Sequence, residues 1–367
     1  MQHFFETHVL IVGGGPAGTS AALSLLKYSN LKVVIVEETN LETIKIGEQV
    51  NSSIFDLLEY MGIEKDNLSP DHFIQGYSNI AAWGSDKMVV RDSIFNTESE
   101  NFQLNREEFD YLLLEKVAAR GAVIFPRTKC LNFEQDDNNY WTVKLKHATK
   151  GNFTVQAKYL IDATGRSGSV GRKLGIESKR YDELTAIGKF LQVKASQQVK
   201  QDILIEAVED GWWYCATLPN QKMTLTFFSD AAIIRKKRLE KIENWNDMLS
   251  KTKYIKHKIA PAESQGKPWV RNAFSQISNV LSKNNFVAVG DAIASFDPIS
   301  SMGIGFAINS ACNAAKAIID ADLGHERTFA NYQENINAIY RQYIETKAFF
   351  YKKEQRWHEA PFWQYRL

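Results

Sequence analysis

Three groups of residues in this chain have types and spacing that could do chemistry: Gly13-x-Gly15-x-x-Gly18 in HVLIVGGGPAGTSAAL, Asp162 and Gly165 in YLIDATGRSG, and Gly290, Asp291 and Asp297 in VAVGDAIASFDPISSMGIG. The first group has the pattern of a phosphate cradle. Gly13 allows a tight turn, Gly15 lets a pyrophosphate approach the backbone, and Gly18 lets a helix pack closely on a strand. Pro16 and Ala17 open that helix, whose unpaired N–H groups and positive dipole end attract phosphate. Glu37, 19 residues after Gly18 at the end of KVVIVEE, can accept hydrogen bonds from ribose hydroxyls, with Glu38 as the neighbouring alternative. This pattern alone serves NAD and FAD equally well. The two later segments, in this order and spacing, select FAD.

These residues need elements to position them. HVLIV, KVVIV, YLID and FVAV are short apolar runs, as expected for strands buried in a parallel sheet. Asp162 and Asp291 fall at the carboxyl ends of two of them, where open α/β sheets bind ligands. Gly47 and Glu48 precede one helix, and Arg106 starts another. A helix is expected to begin near Ser301. Pro298, Met302, Gly303 and Ile304 belong to the stretch 298–305 that spans this start, where glycines let a flat cofactor approach the backbone and the helix N-terminus can stabilise a reduced flavin. The expected fold is α/β. A Rossmann-like FAD-binding domain (residues 1–71, 106–180 and 276–330) is interrupted by a substrate domain on a mixed or antiparallel β-sheet (72–105 and 181–275). A helical, aromatic-rich segment (331–367) follows.

The catalytic candidates are Asp297, Glu48 and Ser301. His72 and Glu206 are further acid–base candidates, and Asp297 has the best position because it lies just before the flavin-facing turn. ILIEAVEDGWWYCATLPNQKMTLTFFSD reads as two strands joined at Pro219-Asn220, with Trp212 and Tyr214 on one face and Trp213 on the other. Trp212, Tyr214 and Gln75 are the candidate substrate-pocket residues.

Composition excludes several classes. A net charge of +1 argues against a general nucleic-acid binder, and no apolar run reaches the length of a membrane helix. Cys130, Cys215 and Cys312 are too few and scattered for a disulfide framework or a zinc site, and a cytoplasmic location fits. The run RKKRLEK at 235–241 reads as a solvated helix face or a docking surface for an acidic partner.

The glycine segments, with DATG at 162–165 and GDA…DPISSMG at 290–303, resemble the FAD-dependent monooxygenase superfamily of aromatic hydroxylases, geranylgeranyl reductases and flavin-dependent halogenases. The resemblance implies FAD contacts at Gly13, Gly15, Gly18, Glu37, Arg106, Gly290 and Asp291. Two departures narrow it. Thr164-Gly165 stands where single-component hydroxylases carry an Asp-Gly pair tied to NADPH, so an external electron donor or reductase is expected. Gln75 and Gly76 stand where halogenases carry a lysine, GWWYCATLP replaces their Trp-x-Trp-x-Ile-Pro signature, and Ser300 replaces the Glu of tryptophan halogenases, so halogenation is disfavoured. The DPISSMG turn and the aromatic tail are most similar to the LodB/GoxB type, flavoproteins that mature quinoprotein amino-acid oxidases. That resemblance implies oxidation by O2, as hydroxylation of a protein-bound tryptophan during cysteine tryptophylquinone formation, with a precursor amino-acid oxidase as partner. Alternatives are a hydroxylase or reductase of a free aromatic or isoprenoid molecule, and a flavin-bound maturation chaperone without catalysis.

Overall fold

The computed structural model describes residues 3–42, 45–91, 100–264 and 266–366. Its first sheet has seven strands. His3–Val12 lies centrally, parallel to Val33–Val36 on one side and to Gly151–Asp162 on the other. Val123–Phe125 extends the sheet beyond Val33–Val36, and Trp141–His147 and Thr128–Gln135 add antiparallel strands at the opposite edge. Phe286–Ala288 pairs with the carboxyl end of Gly151–Asp162. Val9–Ile11 and Val33–Val36 are buried because helices cover this part of the sheet, which is why they read as unbroken apolar runs. Pro16–Tyr28 packs against Arg106–Ala119 and Gly303–Asp322.

Register positions the site. Val12 lies opposite both Val36 and Asp162, and Asp162 lies opposite Ala288. The loops that follow these strands therefore leave the sheet at one common edge.

Among the described residues the second sheet has eight strands, and only Ser78–Ala82 and Asp202–Val208 pair in parallel. The segment expected as two strands forms three: Asp202–Val208, Gly211–Leu218 and Lys222–Asp230. The missed turn is at Glu209-Asp210. It ends on Gly211, where φ is +151° and a Cβ would lie 2.1 Å from the Phe228 carbonyl oxygen, so only glycine fits. Alternation divides the aromatics as expected: Trp212 stacks on Phe228 on one face, and Trp213 meets Phe227 and Trp245 on the other.

A small sheet joins Gln49–Asn51, Asn101–Leu104 and Phe73–Gly76. The latter two strands were expected in the substrate domain, yet Phe73, Phe102 and Leu104 pack into the core of the nucleotide side. The helix Thr328–Tyr351 packs on Gly303–Asp322 and carries Phe350 and Tyr351 beneath the second sheet, where Phe362 and Trp363 join them. No described helix is long and apolar enough to cross a membrane.

Candidate active site

The phosphate end is shaped by close backbone packing. A Cβ on Gly18 would lie 1.9 Å from the Gly13 carbonyl oxygen, and one on Gly13 would lie 2.3 Å from that of Ala163. Gly15 differs, since no protein atom lies within 4 Å of its Cβ position, and it lines a cavity. The helix Pro16–Tyr28 starts there with no side-chain cap, leaving its first N–H groups available. The Gly14 N–H donates to Glu37 Oε2 (2.8 Å), while Glu37 Oε1 accepts from the Thr39 N–H (2.9 Å) and hydroxyl (2.7 Å). Glu38 turns outward to an exposed ion pair with Lys129 and does not reach the site.

Asp162 is buried beneath the cavity. Its Oδ1 accepts from the Thr164 N–H and hydroxyl and its Oδ2 from the Gly171 N–H, so it shapes the DATG turn and does not line the cavity. Gly290 is also buried, and a Cβ there would meet Ala17 at 2.9 Å. Asp291 does line the cavity; Arg166 Nε lies 3.2 Å from its Oδ2, and its Oδ1 has no partner among the described residues.

The cavity has a volume of about 330 Å³ and runs from Gly15–Ala17 past Pro298, Ser301, Gly303 and Ile304 to the second sheet. There Tyr214, Phe228 and Trp269 form an aromatic wall, and Phe296 lines the cavity from the nucleotide side. Trp269 lies over Gly188, where a Cβ would sit 2.4 Å from the indole. Two pocket candidates fall elsewhere. Trp212 is buried behind Phe228 and donates from Nε1 to the Tyr351 hydroxyl (3.1 Å). Gln75 is exposed on its strand, and the nearby Gln49 is the glutamine that lines the cavity.

Glu48 lines the cavity and is buried, and its Oε1 has no partner among the described residues. Burial pushes its carboxyl up to about 7, against the opposing pull of Arg106. Burial, reinforced by Glu48, also raises the Tyr214 phenol. Arg106 donates to the Ile46 (2.5 Å) and Gly47 (3.0 Å) carbonyl oxygens and grips Asp110 through two N–H···O bonds, so it holds the loop that carries Glu48.

Asp297 lines the cavity too, but its carboxylate is engaged. Its Oδ1 caps the Ile299 N–H (3.0 Å) and its Oδ2 accepts from the Tyr351 hydroxyl (2.8 Å), with Lys347 Nζ at 3.9 Å. The Ser301 hydroxyl, on a residue with φ of +54°, donates to Gln49 Oε1 (2.7 Å) and ties the turn to the small sheet. The helix begins at Gly303 with Met302 at its cap, two residues later than expected. His72 accepts from the Ser69 N–H, and Glu206 caps the turn before Ile255–Lys258 through three backbone N–H groups. Neither lines the cavity.

Sequence reasoning missed Arg166, Gln49, Phe228, Trp269 and Phe296. Arg166 follows Gly165 directly and could have been flagged. The aromatic wall comes from three separate strands, and no local pattern marks it.

A glycine-cradled helix start, a second uncapped helix start at Gly303 and an aromatic cavity between two sheets define a flavin-nucleotide oxidoreductase. The chain belongs to the FAD binding domain family, whose pattern matches residues 6–346, and it is an FAD-dependent oxidoreductase. It is 37% identical over 358 residues, 97% of this chain and 96% of the relative, to LodB of Marinomonas mediterranea, to which an FAD-dependent oxidoreductase role is assigned. The flavin-dependent halogenase CmlS superposes with a TM-score of 0.83 at 25% identity, covering 98% of this chain and 67% of its own. QhpG, a peptidyl tryptophan dihydroxylase essential for tryptophylquinone cofactor biogenesis, shares the fold with a TM-score of 0.77 at 20% identity, covering 98% of this chain and 78% of its own.

Proposed function

We propose that this enzyme hydroxylates a tryptophan side chain held in a partner protein, as a step in forming cysteine tryptophylquinone in a precursor amino-acid oxidase. The observation that carries the reading is the cavity itself: an aromatic wall of Tyr214, Phe228 and Trp269 beside a buried, incompletely bonded carboxylate, Glu48. The likeness to LodB and the shared fold of QhpG support it. No lysine is among the described residues that line the cavity, and Lys45 lies near Asp110 instead, which disfavours the halogenase alternative.

The residues present fit FAD. Gly15 leaves room against the backbone, two helix starts offer free N–H groups, and Asp291 keeps an unpartnered oxygen. Gly15, Pro16 and Ala17 would hold the pyrophosphate, Glu37 a ribose, Asp291 the ribityl chain, and Gly303 and Ile304 the ring system. When bound, FAD supplies two electrons and activates O2.

The net step is R–H + O2 + 2e⁻ + 2H⁺ → R–OH + H2O, with electrons from an external donor. The aromatic wall positions an indole and excludes water. Glu48, near neutrality, takes the proton that leaves the oxygenated ring carbon. Arg106 holds the loop that carries that carboxyl.

The test is to incubate the holoenzyme with the precursor oxidase, a reductant, O2 and bromide, and to sequence the product by mass spectrometry. One added oxygen per turnover on a tryptophan is expected, slowed in Glu48→Gln with FAD retained. Added bromine would establish the halogenase reading. Quinone formation with an FAD-free variant would establish the chaperone reading.

A further inference from the structure

Tyr343, Lys347 and Tyr351 lie four residues apart on the helix Thr328–Tyr351 and so share one face. All three converge on Asp297. The Tyr343 hydroxyl accepts from the Asp297 backbone N–H (2.7 Å), Lys347 Nζ lies 3.9 Å from Oδ2, and the Tyr351 hydroxyl donates to Oδ2 (2.8 Å). The clasp continues outward. Tyr343 shares a hydrogen bond with the Ser275 hydroxyl (2.7 Å), Lys347 pairs with Asp182 and Ser275, and Trp212 Nε1 donates to Tyr351. Every member of this network is at least nine-tenths buried except Asp182, which is half-buried. The residue it grips opens the turn Asp297–Ser301, whose Pro298 and Ser301 line the cavity ahead of the Gly303 helix start.

We propose that Tyr343, Lys347 and Tyr351 are positioning residues for the flavin: they fix the place and the ionisation of Asp297, and through the turn it opens they set the reduction potential of bound FAD. A carboxylate on the cavity wall acts on the field at the Gly303 helix start, so its protonation and the electron affinity of the cofactor are linked. This inference holds for any reaction at the flavin and does not depend on tryptophan as substrate.

The groups facing Asp297 are Lys347, Tyr343 and Tyr351 from the long helix, and Asp182 through Lys347; Arg366 lies over the Tyr351 ring. Burial raises the Asp297 carboxyl, with Lys347 pulling it down and Asp182 raising it further. The Tyr351 hydroxyl favours the charged form, so its removal moves protonation to higher pH. Lys347→Met moves it the same way.

The experiment is a spectroelectrochemical titration of the FAD holoenzyme across pH, with thermal melting in parallel. The wild type should show a bend in potential against pH that free FAD does not show. Tyr351→Phe should move that bend up by about one pH unit, Tyr343→Phe should move it less, and Asp297→Asn should abolish it. Adding Tyr351→Phe to Asp297→Asn should change nothing further. A wild type without a bend, or a bend that survives in Asp297→Asn, overturns the proposal. So does a Tyr351→Phe enzyme that melts earlier but keeps the wild-type curve, since that is the signature of a merely structural role. If Tyr351→Phe does not fold, Tyr343→Phe and Lys347→Met decide the matter by the same readout.

Discussion

At one end of the cavity the walls are backbone: Gly15, the start of the helix Pro16–Tyr28 and the start of the helix at Gly303. At the other end they are side chains: Tyr214, Phe228, Trp269 and Glu48. Behind the backbone end, Gly13 and Gly18 tolerate no side chain because chain segments meet there, whereas Gly15 and Gly303 face open space. The side-chain end can be resculpted one residue at a time while the strands beneath it remain. A nucleotide end built of backbone beside a substrate end built of side chains suits a fold that can keep one cofactor while its substrate changes.

The sharpest way to break this comparison lies within the first loop. Gly18→Val places carbon atoms where the Gly13 carbonyl already sits, so a stability loss of about 3 kcal/mol or more is expected. Gly15→Val meets no protein atom. It should melt like the wild type as apoprotein and bind FAD at least about ten-fold more weakly, the cost of intruding on the phosphate approach. Equal melting losses in the two variants would show that Gly15 serves packing and not a ligand.

At the aromatic end, Glu48→Gln should slow turnover by roughly 10²–10⁴-fold. Wild-type activity should rise with pH through about 7, where Glu48 ionises, and the variant should lose that limb. Stability should move the opposite way. Because the folded-state carboxyl sits above its ordinary 4.5, Glu48 costs stability as pH rises from 4.5 to about 7. The variant should therefore be more stable at pH 8, by on the order of 2–3 kcal/mol, and gain nothing at pH 4. Denaturant melts at the two pH values check this.

Gly188→Ala should displace the Trp269 indole, which lines the cavity, and crowd the Leu225 carbonyl oxygen at 2.8 Å. A rise in substrate KM of several-fold with unchanged FAD affinity is expected, read by steady-state kinetics and flavin titration. The smallest effect belongs to Trp213→Phe, behind the sheet. It should cost about 1–2 kcal/mol in a thermal melt and leave kcat and FAD content unchanged. A kinetic defect there would mean that the far face of the second sheet communicates with the cavity.

Much of the backbone end was legible in the sequence. Gly13, Gly15 and Gly18 follow a strand directly, and Asp162 and Asp291 sit at strand ends that pair in register, so short-range pattern and topology agree. The side-chain end was legible only in part. Tyr214 and Glu48 were found because each stands beside a recognisable turn or doublet. Trp212 was misplaced because alternation gives the face of a residue but not what covers that face, and here Phe228 and the tail intervene. Gln75 was misplaced because register in the small sheet depends on Asn101–Leu104, far off in sequence. Asp297 was expected to be a free base. The three partners that occupy it come from a helix near residue 350 that carries no motif of its own.

The register that aligns Val12, Asp162 and Ala288 also has a consequence for how the chain reaches this state. The loops that meet at the sheet edge start near residues 13, 163 and 290, and the central pairing joins strands about 150 residues apart in sequence. Such non-local contacts must close large loops before they bring any reward, so assembly is intrinsically slow. A growing chain shorter than about 290 residues contains the glycine motif in full yet lacks a floor for the nucleotide. Cofactor capture is therefore expected late in assembly, after the sheet topology has formed.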